Sequence, residues 1–206
     1  MIKDKKLTKR QLQAIETRKK LFVTAKELFS QYGYETVSVD DIVEKAGTSK
    51  GAFYTHFKSK DQIILEQFGE IDKFYLEEYQ KIKRRKTAIN QLLAFIKAQH
   101  YYVSETMGIS FIKTVYYSQI IKEENEKLFT DESRPLFTIV RNIIEEGQKT
   151  GEFRNDVESL ELTRMITRCM RGTIYDWCVR NGEFDIMADG HKFFKLIIDS
   201  LKSCVR

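Results

Sequence analysis

The sequence predicts an all-α protein of about nine helices, with a helix-turn-helix near its start. Three observations predict it. Helix breakers are sparse, with one proline and ten glycines in 206 residues. Apolar residues recur at helical spacing in segment after segment. No strands alternating with turn clusters are visible. Apolar residues make up 42% and charged residues 32%, as in a globular chain able to bury a sizeable core. The longest apolar run, LLAFI at 92–96, falls far short of the roughly 20 residues that span a bilayer, so no membrane segment is expected. The basic start MIKDKKLTKRQ has no apolar stretch behind it and does not read as a secretory signal. Cys169, Cys178 and Cys204 lack CxxC spacing, which fits a reduced, cytoplasmic setting with cysteine as a small buried apolar residue.

The elements follow in order. Thr8 to Gln11 is a capping box that opens a first helix, with Leu12, Ile15, Phe22, Ala25, Leu28 and Phe29 on its apolar stripe. YGY at 32–34 ends it, with Gly33 at the C-terminus. Ser38 to Asp41 is a second box. Val39, Ile42, Val43 and Ala46 then make a two-turn helix that Gly47 stops. Thr48 or Ser49 restarts the chain, with Phe53 and Phe57 facing inward. A third box, Ser59 to Gln62, opens a long helix to about residue 84, striped by Ile64, Phe68, Ile71, Tyr75, Tyr79 and Ile82. Further helices are expected over about 88–104, about 109–121, from Pro135 to the Gly147–Gly151 region, along Leu162–Trp177 and around Phe193–Leu201.

The segment 38–57 is helix, short glycine turn, helix, which is the helix-turn-helix pattern. In such a unit the second helix enters the major groove of DNA and the first crosses the backbone. With the apolar residues assigned to the core, Ser49, Lys50, Gly51, Ala52, Tyr54, Thr55 and His56 remain outside, and none is acidic. Gly51 and Ala52 allow close approach to base edges. Lys50 can reach a guanine or a phosphate. Tyr54, Thr55 and His56 can hydrogen-bond phosphates. Lys60, at the start of the next helix, adds a cation where free N–H groups already favour an anion. Ser38 and Thr48 complete the candidate DNA-binding set. Charge points the same way: residues 1–60 hold 13 Lys and Arg against 7 Asp and Glu, net +6, while the remainder is net −1. The basic run KIKRRK at 81–86 reads as a solvated helix end, and KDKKLTKR at 3–10 as a tail or a DNA-contacting arm.

Nucleotide-binding, nucleophile-elbow and metal-ligand motifs are absent from the sequence, so neither an enzyme nor a cofactor is expected. A helical protein-interaction adaptor without specific DNA binding is the competing reading.

Residues 21–64 resemble the N-terminal domain of TetR/AcrR-family transcriptional regulators. The resemblance rests on A-x-x-L-F, Y-G-Y-x-T-x-S, D-I-x-x-x-A-G, S-K-G-x-F-Y-x-H-F and K-S-K-x-x-I. Thr48, where the family often has valine, and Ala52, where it often has threonine, depart from the pattern. The resemblance implies a DNA-binding head over 1–60 and an effector-binding, dimerising body over 61–206. It implies a homodimer, usually a repressor, that leaves a palindromic double-stranded operator when a small molecule moves the fourth helix. An effector-independent regulator is the alternative. The aromatic and methionine-rich helices then suggest a pocket near Met107, Phe111, Tyr116, Met165, Arg168 and Trp177. Arg168 and Arg171 are candidates to meet an acidic effector group. The resemblance also places Gly172, Phe193, Ile197 and Leu201 at a four-helix dimer interface.

Overall fold

The computed structural model describes residues 7–85, 87–121 and 128–203. Lys3–Lys6 of the candidate arm, Lys86 of the basic run and Cys204 lie outside the described residues. Nine α-helices form among the described residues: α1 (Lys9–Tyr32), α2 (Val39–Lys45), α3 (Lys50–His56), α4 (Lys60–Ile82), α5 (Ala88–Tyr101), α6 (Ile109–Ile121), α7 (Pro135–Lys149), α8 (Ser159–Val179) and α9 (Ala188–Asp199). The chain divides into two compact units, Met1–Gln67 and Phe68–Arg206, and the division falls inside α4. The first two turns of α4 therefore group with the N-terminal unit, because Ile63 and Ile64 are fully buried in its core.

In the N-terminal unit two of the three expected boxes close. Thr8 and Ser38 each accept from the backbone N–H three residues on, and Gln11 and Asp41 reach back to the capping backbone N–H groups. Gly33 takes a positive φ of 83°, and the Tyr34 ring folds edge-on to Phe29 at 5.1 Å. Gly47 (φ 60°) ends α2, and Ser49 caps α3 by accepting from Ala52 N–H. Two expectations need correction. Leu12 and Ile15 are about half exposed, so the apolar stripe of α1 is buried only from Leu21 onward. The reach-back of the third box does not form: Gln62 Oε1 accepts from Lys58 N–H, one residue before Ser59.

The C-terminal unit packs α7 on α8, α5 on α9, and α5 on α7. Its largest fully buried side chains include Phe95, Phe111, Phe153 and Phe194. The helix expected to run to about 104 changes at Tyr101 into a single π-helical stretch, Tyr102–Met107, closed by Gly108. Glu152 caps α5 from 64 residues away, its carboxylate accepting from Ala88 and Ile89 N–H at 3.1 and 3.2 Å. Gly147 is demanded by packing: a β-carbon there would lie 2.2 Å from the Phe153 ring. None of the described helices is long and apolar enough to cross a membrane, and no described cluster could hold a metal ion.

His100 is buried in α5 with its ring against Gly190 of α9 and 5.6 Å from Phe194. Burial lowers its pKa to about 4. The folded state therefore holds the neutral imidazole, while the unfolded chain takes up a proton below about pH 6.5. This contribution is intact at neutral pH and is lost as pH falls from about 6.5 towards 4. Between about pH 7.5 and about pH 5 the loss amounts to about 2 kcal/mol. Urea unfolding of the wild type and of His100→Gln at both pH values checks this. Equal pH dependence in the two proteins would refute it.

Candidate nucleic-acid interface and effector cavity

In the N-terminal unit, α3 buries Phe53 and Phe57 completely, with their rings 5.6 Å apart. That anchoring turns Ser49, Lys50, Gly51, Tyr54 and Thr55 outward, while Ala52 and His56 are half-buried. Lys50 Nζ lies 2.8 Å from Asp40 of α2, whose carboxylate holds the ammonium above its ordinary pKa. Although α3 itself is free of acid, its basic end thus faces an acidic neighbour. Thr55 donates its hydroxyl proton to the Gly51 carbonyl at 2.8 Å, leaving a methyl group and an acceptor outward. A β-carbon at Gly51 would meet only Ser49 Oγ, at 3.8 Å, so nothing inside the chain requires glycine there.

Lys60 and Thr48 are set deeper. The Lys60 ammonium donates to the carbonyls of Tyr34 (2.7 Å) and Val37 (3.1 Å), approaches that of Glu35 (3.5 Å), and sits 4.4 Å over the Tyr34 ring. The ring is itself buried, and its hydroxyl faces Asp61; burial first, then that carboxylate, push the phenol pKa far up. Thr48 is half-buried, and its hydroxyl is buried without a partner among the described residues.

In the C-terminal unit a cavity of about 50 Å³ opens between α4, α5, α6, α7, α8 and a short 3-10 turn, Leu128–Thr130. Phe68, Ile71, Val103, Ile112, Phe137 and Ile174 supply apolar wall. Its polar groups are Tyr75, Gln99, Tyr116, Asp131, Arg134 and Arg171. Tyr116 donates to the Arg171 carbonyl at 2.7 Å, tying α6 to α8, and burial raises its phenol pKa far above the ordinary value. Arg134 pairs with Asp72 through two bonds (2.7 and 3.1 Å) and also donates to the carbonyls of Leu128 and Phe68. On Asp72 burial outweighs the arginine, and the net carboxyl pKa is raised.

Residues 21–66 match the family model described as bacterial regulatory proteins, tetR family, and residues 68–200 match that of the YsiA-like protein C-terminal region. The chain belongs to the TetR family. It is a DNA-binding transcriptional regulator and not an enzyme. Among its relatives is the fatty acid metabolism regulator protein of Bacillus subtilis (strain 168), 21% identical over 178 residues, 86% of this chain and 91% of the relative. Another is the transcriptional repressor KstR2 of Mycolicibacterium smegmatis, 22% identical over 204 residues, 92% of each chain. The solved structure of FadR from Bacillus subtilis in complex with stearoyl-CoA shares the fold. Its TM-score is 0.76 at 22% identity, over 87% of this chain and 97% of that one.

Measured against the family expectations, Tyr116 lines the cavity, and so does Arg171. Met107, Phe111 and Trp177 are buried outside its lining, while Met165 and Arg168 are exposed. Phe129, Gln99 and the Arg134–Asp72 pair had no sequence signal, since each acts across a long stretch of chain. Of the four dimer candidates, Gly172 and Phe193 are exposed, Ile197 is half-buried, and Leu201 is buried within the chain. Leu196, 72% exposed, and Val179, 60% exposed, belong to the same two helices and were not singled out from the sequence.

Two stability predictions follow from the head. Lys60→Met strands the carbonyls of Tyr34 and Val37 and destabilises the protein by about 1–3 kcal/mol. A loss of DNA affinity at unchanged unfolding midpoint would instead mark Lys60 as a phosphate contact alone. Thr48→Val removes a buried, unpaired hydroxyl and stabilises by about 1 kcal/mol. A lower denaturation midpoint in this variant would mean that the hydroxyl has a partner.

Proposed function

We propose that this regulator is a homodimeric repressor that binds a palindromic operator through α3 and is released by a small apolar effector held in the C-terminal unit. The outward face of α3 carries the proposal. It is small, free of acid, and includes a glycine that internal packing does not need. A glycine kept on an exposed helical surface costs about 1 kcal/mol relative to alanine, and contact with a base edge or phosphate gives that cost a purpose. Lys50 exchanges Asp40 for phosphate or guanine on binding. Ser49, Tyr54 and His56 flank it. Ser38 and Thr48 act through the position of the two helices.

The homodimer is supported by the exposed apolar residues of α8 and α9 around Gly172, where an added β-carbon would meet nothing within 4 Å of the same chain. An apolar effector is supported by the walls of the cavity and by the stearoyl-CoA held in the FadR structure. The α4 helix, about 35 Å long at about 1.5 Å per residue, contributes residues to both units and is the proposed route of coupling. A duplex-DNA target supports a cytoplasmic location.

Selection of bound duplexes from a random library is expected to return an inverted repeat. Recovery of no motif, with binding lost at moderate salt, would favour the adaptor reading. With that repeat as probe, Lys50→Ala weakens binding. Gly51→Ala also weakens it while raising unfolding stability by up to about 1 kcal/mol. Unchanged affinity in both variants would move the DNA face elsewhere.

A further inference from the structure

The 3-10 turn Leu128–Thr130 is held in an unusual way. Neither Leu128 nor Phe129 is fully buried, and the turn is fastened chiefly by side chains from three helices or their ends. Gln119 Oε1 accepts from both Leu128 N–H (2.7 Å) and Phe129 N–H (3.3 Å). Arg134 donates to the Leu128 carbonyl at 3.0 Å, and Arg171 to the Phe129 carbonyl at 3.1 Å. The Phe129 ring thereby stands in the cavity wall, edge-on to Tyr116 at 4.7 Å and to Phe68 at 5.5 Å. The space left, about 50 Å³, suits one or two waters at about 30 Å³ each. Sites for drug-sized molecules run to several hundred Å³, roughly 300–1,000.

The two arginines of the cavity differ in a way that decides their roles. Arg134 is fully engaged by a carboxylate and two carbonyls. Arg171 is half-buried, yet its guanidinium makes one hydrogen bond, to a neutral carbonyl, and meets no carboxylate among the described residues. Burial lowers its pKa, the Tyr116 phenol opposes that by a smaller amount, and the neighbouring cation Arg168 lowers it further. A guanidinium has five N–H donors, and a partly desolvated cation without a counter-ion is costly. Gln99, 3% exposed, adds a side-chain oxygen with no partner among the described residues. The remaining wall is aliphatic and aromatic apart from Asp131, whose carboxylate accepts from the backbone N–H and the hydroxyl of Ser133.

We infer that Phe129 occupies the place of the effector's apolar body, and that its displacement hands Arg171 to an anionic group, so that the cavity takes apolar molecules bearing a single carboxylate. This rests on the proposal that the cavity is the effector site. The Phe129 carbonyl stands in for the ligand's carboxylate oxygen, and its ring for the ligand's hydrocarbon. Arg134 stays bound to Asp72 throughout. The charged head distinguishes a free acid from its thioester, whose carbonyl is neutral.

Calorimetric titration of the full-length protein with laurate, dodecanol and lauroyl-CoA, all below their micellar concentrations, tests this. Laurate is expected to bind at least about tenfold tighter than dodecanol. Arg171→Gln abolishes that preference, and Arg171→Lys restores part of it. Phe129→Ala tightens both ligands by about tenfold, and Phe129→Leu by less. Circular dichroism and the unfolding midpoint identify any variant that fails to fold, and Phe129→Leu and Arg171→Lys then carry the comparison. Equal affinity for laurate and dodecanol in the wild type overturns the inference. So does a preference that survives Arg171→Gln, weaker binding in Phe129→Ala, tighter binding of lauroyl-CoA than of laurate, or no binding of laurate to either wild type or Phe129→Ala. Operator release is read separately on the selected DNA. Laurate that binds without releasing the operator counts against the proposed function alone. Release by other compounds, with no laurate bound, counts against this inference alone.

Discussion

The N-terminal unit depends on one ammonium group. Lys60, the first residue of α4, reaches back to the stretch between α1 and α2 and gathers the carbonyls of Tyr34 and Val37, with the Tyr34 ring beneath it. Those carbonyls sit where the chain is neither helix nor strand and has no ladder to satisfy them. A charged donor forms stronger hydrogen bonds than a neutral one, and a cation over an aromatic face adds to them. The clamp joins the end of α1, the capped start of α2 and the start of α4. It thereby sets the frame in which Phe53 and Phe57 anchor α3. The outward face of α3 is a consequence of that frame.

The C-terminal unit relies on distant caps and close approaches. Glu152 caps α5, Gly147 admits the Phe153 ring, and Gly190 admits His100. The first and the last join residues far apart in the chain, and each of the three leaves little freedom to the helices concerned. The wall of the cavity at Leu128–Thr130 is a contrast, because polar side chains hold it and apolar burial does not. Side-chain hydrogen bonds of this kind hold a segment less firmly than a packed aromatic core does. Arg171 and Arg134 show how one residue type serves both ends. Asp72 pairs with Arg134 through two bonds, while Arg171 meets a single neutral carbonyl.

Much of the fold was legible in the sequence. The capping boxes at Thr8 and Ser38, the stops at Gly33 and Gly47 and the first-turn Pro135 are local signals, and local hydrogen bonding decides them. The inward positions Phe53 and Phe57 followed from helical spacing, which also identified most of the outward face of α3. Periodicity erred where burial depends on what lies opposite. Leu12 and Ile15 carry the right spacing on a part of α1 that no described residue of its unit covers.

The sequence by itself determined the helices, their order and the helix-turn-helix, because caps, breakers and apolar periodicity act within a few residues. Only the tertiary structure decided that Lys60 serves the turn of the head, that Lys50 faces Asp40, and that Arg171 rather than Arg168 enters the cavity. Those outcomes depend on charges and rings brought together across tens of residues. Their separation in space is set by the packing of whole helices, and no spacing along the chain encodes it.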